Sequence, residues 1–209
     1  MSLNHTRWEV LARPKGQKSL FYSVCRTESD HEKVMQMWRV TLKDGKKVIL
    51  RFLKADDNKR LFRMLSSMSA EALEWSMAPY TMNNVERWIS NLPTLIALVA
   101  EYEGEIIGWA SIYKLPHPRR KGVGDLGIFL RQDFHRVGLG TAMTERLLQL
   151  AKNEKMHRVE LAVVKENKIA LRLYEKFGFQ IEGVSKDAFY SQDGKYHDII
   201  NMGLILPQR

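Results

Sequence analysis

The chain has 209 residues, 44% of them hydrophobic and 27% charged, which is typical of one soluble globular domain of ordinary size. No apolar run is long enough to span a bilayer, the start lacks a signal-peptide pattern, and the single cysteine, Cys25, excludes an intrachain disulfide, so we expect a cytoplasmic protein. The net charge of +9 favours a nucleic acid, an anionic membrane or a phosphate-rich cofactor. The cofactor is the plainest explanation, because no nucleic-acid-binding module is recognisable and the basic residues are scattered except at 43–47 and 119–121.

Strands and helices follow one another along the whole chain, after a stretch of mixed character at residues 1–33 that alternates weakly at 20–24. Asp-Gly pairs favour tight hairpin turns, Ser, Thr, Asp and Asn favour helix caps, and alternation of apolar residues favours strands. The predicted elements are a hairpin at 35–42 and 47–53, helices at 57–68 and 81–90 with a short helix ending near 75 between them, strands at 94–102, 105–113 and 125–130, a helix at 138–153, a strand at 159–164, a helix after Asn167, and a hairpin at 180–190 and 196–206. Together they predict an α+β sandwich with a mixed sheet.

Two glycines, Gly138 and Gly140, lie between the apolar run at 128–130 and the amphipathic helix. Glycine lets the backbone turn tightly, and a helix that begins there directs unpaired N–H groups at a ligand, so the turn is a candidate anion site to which Arg136 adds a planar cation. The turn is neither a G-x-x-x-x-G-K-[ST] loop nor a G-x-G-x-x-G motif, because Met143 stands at the third glycine position. By itself it is equally compatible with glycines that serve helix geometry alone.

A second informative segment follows some thirty residues later. Residues 159–163 alternate as a strand does, Asn167 stands where a helix cap belongs, and Gly178 stands where that helix would end. Asn167 and Tyr174 are seven residues apart, so they lie on one face of the helix, two turns from each other.

In these two segments the sequence resembles the GNAT superfamily of acyl-CoA-dependent N-acetyltransferases. The family's phosphate turn, Gln/Arg-x-x-Gly-x-Gly/Ala, is matched at 135–140, except that His135 replaces Gln or Arg. The later signature, Asn-x-x-Ala-x-x-x-Tyr-x-x-x-Gly-Phe, is matched by Asn167, Ala170, Tyr174, Gly178 and Phe179. The resemblance covers about residues 47–206. It implies an α/β/α sandwich around a central mixed, mostly antiparallel twisted sheet, with residues 41–209 as the acetyltransferase domain and 1–40 as an N-terminal extension packed on it.

The resemblance implies acetyl-CoA as the cosubstrate. The N–H groups at 137–141 would hold its pyrophosphate, the backbone at 128–130 would pair with the pantetheine arm and supply an oxyanion donor near Leu130, and Asn167 would bind a pantetheine amide. The cofactor-binding residues expected in this way are Ile128, Phe129, Leu130, His135, Arg136, Val137, Gly138, Leu139, Gly140, Thr141, Asn167, Ala170 and Tyr174.

Tyr174 is the expected general acid that protonates the departing thiolate; without the motif it would be interpreted as a buried ring beside Phe177. The general base is not identified by the sequence. Asp125 is the first candidate, with Glu160 on the neighbouring strand; the alternatives are a base that acts through ordered water and a merely solvated strand-end carboxylate at Asp125.

The acceptor site is expected at residues 66–80, 116–124 and 191–197, where Glu71, Glu74 and Trp75 could meet an amine or could be one exposed helix face. The function expected is transfer of an acetyl group from acetyl-CoA to a primary amine of a small molecule or peptide, by direct attack in a ternary complex. The alternative is a catalytically silent acyl-CoA sensor of the same fold. Neither nucleic acid nor membrane is expected as a partner, a homodimer is compatible with the family, and the six histidines show no metal-ligand spacing, so no metal is predicted.

Overall fold

The computed structural model describes residues 36–207. The alternating piece at 20–24, Cys25 and most of the expected N-terminal extension lie outside the described residues. The expected boundary at residue 40 falls inside the first strand, Met37–Thr41.

The elements of the described chain lie close to the positions predicted from the sequence. The strands are β1 Met37–Thr41, β2 Lys47–Phe52, β3 Leu95–Tyr102, β4 Glu105–Lys114, β5 Val123–Leu130, β6 Arg158–Val164, β7 Gln180–Tyr190 and β8 Tyr196–Ile205. The α-helices are α1 Asn58–Ser66, α2 Ala70–Leu73, α3 Met82–Ser90, α4 Leu139–Asn153 and α5 Lys168–Lys176. Short 3-10 turns lie at Ala55–Asp57, Leu92–Thr94, Pro118–Arg120 and Gln132–Phe134.

The strands of residues 36–207 form one mixed sheet in the order β1-β2-β3-β4-β5-β6-β8-β7. Neighbouring strands are antiparallel except β5 and β6, which are parallel. Both predicted hairpins are confirmed, because Thr41 pairs with Lys47 and Tyr190 with Tyr196. The expected mixed, mostly antiparallel sheet between helical layers is therefore present.

Two apolar clusters lie on opposite faces of the sheet, since successive side chains of β3 enter them alternately. Ile96 and Leu98 join the cluster under α4, whereas Ala97 and Val99 join the cluster under α1 and α3. The first cluster also contains Tyr174 and Phe179. The sheet is thus the middle layer of a sandwich that holds α4 rigidly against β3, β4 and β5.

A charged cluster is buried beside β2. Arg51 and Asp57 are 4% and 2% exposed, and two hydrogen bonds of 2.6 and 2.8 Å join them. Arg51 also donates to Glu101 at 2.8 Å, and Arg60 bonds both carboxylates. The sequence predicts Asp56 or Asp57 as the cap of α1, and the structure places Asp57 at the N-cap. Its carboxylate, however, accepts from Arg51 and from the Lys54 amide and makes no capping hydrogen bond to α1.

Candidate active site

The parallel strands β5 and β6 pair over only three residues and then diverge. Val123 lies opposite Arg158 and Asp125 opposite Glu160, and no pairing follows between the later residues of these two described strands. On its other side β5 stays paired with β4 as far as Leu130. The second half of β5 therefore has one sheet edge that faces an opening.

The alternation of hydrogen-bonded and non-hydrogen-bonded residues along β5 shows which of its backbone groups face that opening. Leu115 donates to the Val123 carbonyl at 3.1 Å and Arg131 to the Ile107 carbonyl at 2.9 Å. Because hydrogen-bonded and non-hydrogen-bonded pairs alternate in an antiparallel ladder, Phe129 exchanges its bonds with β4. The N–H and C=O groups of Ile128 and Leu130 consequently point toward β6, and no strand within residues 36–207 pairs with them.

The glycine turn adds further unpaired donors at the same end of β5. Gly138 is the N-cap of α4 with φ +95°, and Arg136 has φ +61°, so the chain makes two left-handed steps before the helix. The first intrahelical bond runs from Ala142 N to Gly138 O at 3.1 Å. The N–H groups of residues 139–141 have no partner within the helix, and they carry the positive end of its dipole.

Side chains of the turn fasten it to the rest of the molecule. The His135 Nε2–H donates to the Leu130 carbonyl at 2.9 Å, so this departure from the family pattern ties the turn to the end of β5. Leu139 is fully buried and anchors the start of α4 in the apolar core. A Cβ at Gly140 would lie 3.3 Å from Leu130 and 3.5 Å from Leu173, which explains the small residue at this close approach. Arg136 is exposed.

Helix α5 begins at the cap predicted from the sequence. The Asn167 Oδ1 accepts from the Ala170 amide at 3.1 Å, which leaves the Asn167 Nδ2 as a donor. Tyr174 is only 5% exposed and its ring packs against Phe179 at 5.7 Å. Its hydroxyl has no hydrogen-bond partner among residues 36–207.

Burial raises the pKa of the Tyr174 phenol well above its usual range, and the negative charge of Asp125 raises it further, so this phenol keeps its proton at neutral pH. Asp125 is exposed at the start of the opening, yet nearby protein atoms desolvate its carboxylate and raise its pKa, and Glu160 adds to the shift. Glu160 itself pairs with Arg120 at 2.5 Å and Arg158 at 3.2 Å. The charge of one predicted catalytic side chain, Asp125, therefore acts on the other, Tyr174.

Two of the three segments expected at the acceptor site meet. Trp75 packs edge-on against His197 at 5.1 Å and lies 6.3 Å from Phe189, which brings residues 66–80 to the β7–β8 hairpin. The same segment contacts β5, because Tyr80 packs against Phe129 at 5.3 Å. It thus spans the sheet from β5 to the hairpin. The third segment, at 116–124, is linked to Glu160 through Arg120, and Glu71 and Glu74 are exposed.

Residues 36–207 contain no group of three or more His, Cys, Asp or Glu side chains that could hold a metal ion. No helix within them has the length and apolarity needed to cross a membrane.

This arrangement fits an extended ligand with amide groups along its length and phosphates at one end. Unpaired main-chain groups of β5 match the amides, and the unpaired N–H groups at the start of α4 match the phosphates. A buried phenol lies at the inner end.

Comparison with known proteins agrees with that geometry. The family model described as "Acetyltransferase (GNAT) family" matches residues 60–179. The L-amino acid N-acetyltransferase AaaT of Escherichia coli K12 is 30% identical over 56% of this chain and 72% of its own length. The spermine/spermidine N(1)-acetyltransferase of Bacillus subtilis 168 is 34% identical over 39% of this chain and 57% of its own. The structure of yncA from Salmonella typhimurium, solved with its cofactor acetyl-CoA, superposes with a TM-score of 0.68 at 19% identity, over 78% of this chain and 95% of that one.

The chain belongs to the GNAT family of acetyltransferases, and it is an acyltransferase of the GNAT type. The matched residues, 60–179, leave out the β1–β2 hairpin and the β7–β8 hairpin. Sequence reasoning singled out the basic turn at 43–47 but assigned it no role. In the structure Lys43 contacts the glycine turn, a long-range contact for which the basic composition of the turn was the only signal.

Proposed function

We propose that this enzyme transfers the acetyl group of acetyl-CoA to a primary amine by direct attack of the amine on the thioester in a ternary complex. The observation that carries the proposal is the divergence of β5 from β6. Within residues 36–207 it leaves main-chain groups of β5 without a strand partner, between a helix N-terminus and the buried Tyr174 ring. Acetyl-CoA would supply the activated acyl group, and its phosphates and amides would meet these groups.

The cofactor would be held mainly by backbone. The N–H groups at 137–141 bind the pyrophosphate and Arg136 adds positive charge. Ile128 and Leu130 bind the pantetheine arm as an added strand, while the Phe129 side chain packs on Trp109 at 5.2 Å. The Asn167 Nδ2 donates to a pantetheine carbonyl.

Chemistry would take place between β5 and α5. The amine nitrogen forms a bond to the acetyl carbon, and the Leu130 N–H stabilises the negative charge that develops on the acetyl oxygen. The C–S bond then breaks, and Tyr174 donates its proton to the sulfur. Asp125 removes the proton from the amine, directly or through an ordered water, and its raised pKa suits that role.

The acceptor we propose is a small amine of the amino-acid or polyamine class, since the two curated relatives are named for such acceptors. Trp75 and Tyr80 belong to the segment at 66–80, which spans the sheet from β5 to the β7–β8 hairpin. Their rings are available to contact an ammonium group or an apolar side chain of the acceptor.

The test measures free-thiol release from acetyl-CoA with amino acids, spermidine, spermine and peptide N-termini, for the wild type and for Tyr174→Phe. We expect one class of small amine to be turned over and Tyr174→Phe to lower kcat by roughly 10²-fold. Tyr102→Phe is the matched control and should retain wild-type turnover, because Tyr102 lies at the end of β3. Equal turnover by Tyr174→Phe and the wild type would contradict the acid role.

A further inference from the structure

The turn between β1 and β2 touches the glycine turn, although the two are almost a hundred residues apart. The Lys43 N–H donates to the Val137 carbonyl at 3.0 Å. A Cβ placed on Gly138 would lie 3.7 Å from Lys43 Cγ and 3.9 Å from Lys43 Cε. The Lys43 side chain therefore runs directly alongside the N-cap of α4.

The charges at this contact are unevenly paired. Asp44 is bound by Lys46, and Asp133 is bound by Arg131. Lys43 itself is exposed and has no ion-pair partner among residues 36–207. The acidic side chains nearby are thus already neutralised, while the ammonium beside Gly138 is not.

The backbone contact also orients the turn. In a trans peptide the C=O of Val137 and the N–H of Gly138 point in opposite directions. Because the Lys43 amide holds that carbonyl, the Gly138 N–H points away from the hairpin backbone. The hairpin therefore fixes one donor of the anion site through its backbone and adds a cation through its side chain.

We propose that Lys43 is a further cofactor-binding residue, whose ammonium binds the pyrophosphate of acetyl-CoA beside the N-terminus of α4. This inference rests on the proposed function, because it concerns the same cofactor. It assigns a role to the β1–β2 hairpin, which precedes the residues matched by the family at 60–179. The phosphates would be held between the α4 amides and a side chain that lies almost a hundred residues earlier in the sequence.

The test is calorimetric titration of CoA and of 3′-dephospho-CoA into the wild type, Lys43→Gln and Lys47→Gln. Lys47 is the matched control, because it is exposed at the start of β2 and its loss changes the net charge equally. We expect Lys43→Gln to raise the Kd of both ligands by roughly 5- to 20-fold, the range of one charge-assisted contact at an accessible site, and to flatten its dependence on salt. Lys47→Gln should change either Kd by less than about twofold.

Three results would overturn the inference. The first is an unchanged Kd for Lys43→Gln. The second is a loss of affinity for CoA but not for 3′-dephospho-CoA, which would place the contact at the 3′-phosphate. The third is an equal loss of affinity in Lys47→Gln, which would indicate only the electrostatic field of the basic surface. Failure of the wild type to bind either ligand would instead contradict the proposed function. In steady-state assays, Lys43→Gln should raise the KM for acetyl-CoA and leave kcat unchanged.

Discussion

Two polar regions of this molecule differ in whether their polar groups have hydrogen-bond or ion-pair partners within the described chain. Arg51 and Asp57 are buried and paired with each other, and the partly exposed Arg60 and Glu101 complete the network of ion pairs. Between β5 and α5, backbone donors and the Tyr174 hydroxyl lack partners within the described chain. These groups face an opening, where a bound ligand can complete their hydrogen bonding. The first region stabilises the fold, and the second is the proposed site of binding and reaction. Substitutions can therefore change one region without altering the other.

The largest expected effect is on stability. Asp57→Ala leaves the buried Arg51 guanidinium with only part of its pairing and should lower the free energy of unfolding by about 3 kcal/mol. Chemical denaturation measures this loss. Glu105→Gln breaks the exposed pair with Arg63 and should cost no more than about 0.5 kcal/mol. Equal losses of stability in the two variants would show that the buried ion pairs stabilise the fold no more than the exposed pair does.

The cluster also fixes the direction of a pH dependence. Burial alone would raise the pKa of Asp57, but hydrogen bonds from Arg51 and from the Lys54 amide lower it below its usual range. Its contribution to stability is complete above the unfolded-state pKa, near 4, and is lost as pH falls through the lower folded-state value. Acid unfolding curves of wild type and Asp57→Ala should therefore converge at low pH.

Tyr174→Phe makes the reverse test in the second region. Its hydroxyl makes no hydrogen bond to residues 36–207, so the melting temperature should change little while kcat falls by roughly 10²-fold. A melting curve and a turnover assay on the same preparation separate the two effects. A large loss of stability in Tyr174→Phe would show that the hydroxyl stabilises the fold, as the Arg51–Asp57 cluster does.

Gly138→Ala sharpens the comparison at the glycine turn. An alanine at φ +95° is strained by about 1–2 kcal/mol, and relief of that strain would turn the amides away from the phosphates. We expect a lower melting temperature and weaker CoA binding. Gly183→Ala is the matched control, because its Cβ would meet nothing within 4 Å and no positive φ is involved. CoA affinity equal to wild type in Gly138→Ala would contradict the role of the turn.

The smallest expected effect is a shift in a pH profile. As a base, Asp125 must be ionised, so kcat/KM should fall as pH drops through its raised pKa. Glu160→Gln removes a neighbouring negative charge, lowers the pKa of Asp125 and should move the acid limb to lower pH. Asp125→Asn should abolish that limb. An acid limb unchanged in both variants would favour a base that acts through water or the acceptor amine itself.

The sequence predicted those features that depend on local chemistry. Asp44 and Gly45 gave the turn of the first hairpin, Thr81 gave the cap of α3, and Asn167 gave the cap of α5. Each follows from one side chain and its immediate neighbours, so a short window of sequence contains the cause.

Long-range features were not predictable in this way. Nothing within β5 or β6 shows that their pairing stops after Asp125 and Glu160, because divergence depends on the whole sheet. The partner of Asp57 is set by tertiary contact with Arg51, which outweighs the local capping preference. The contact between Lys43 and Val137 likewise joins two turns that are far apart in the sequence, so no short window of sequence contains its cause.

The most direct test of the central claim is amide hydrogen exchange followed by NMR at three consecutive residues of β5. Without ligand, the Ile128 and Leu130 amides should exchange faster than that of Phe129, which is bonded to β4. Saturating acetyl-CoA, added without an amine acceptor, should slow exchange at Ile128 and Leu130 and leave Phe129 unchanged. Slow exchange at all three residues without ligand, or no change at Ile128 and Leu130 when acetyl-CoA binds, would contradict the account.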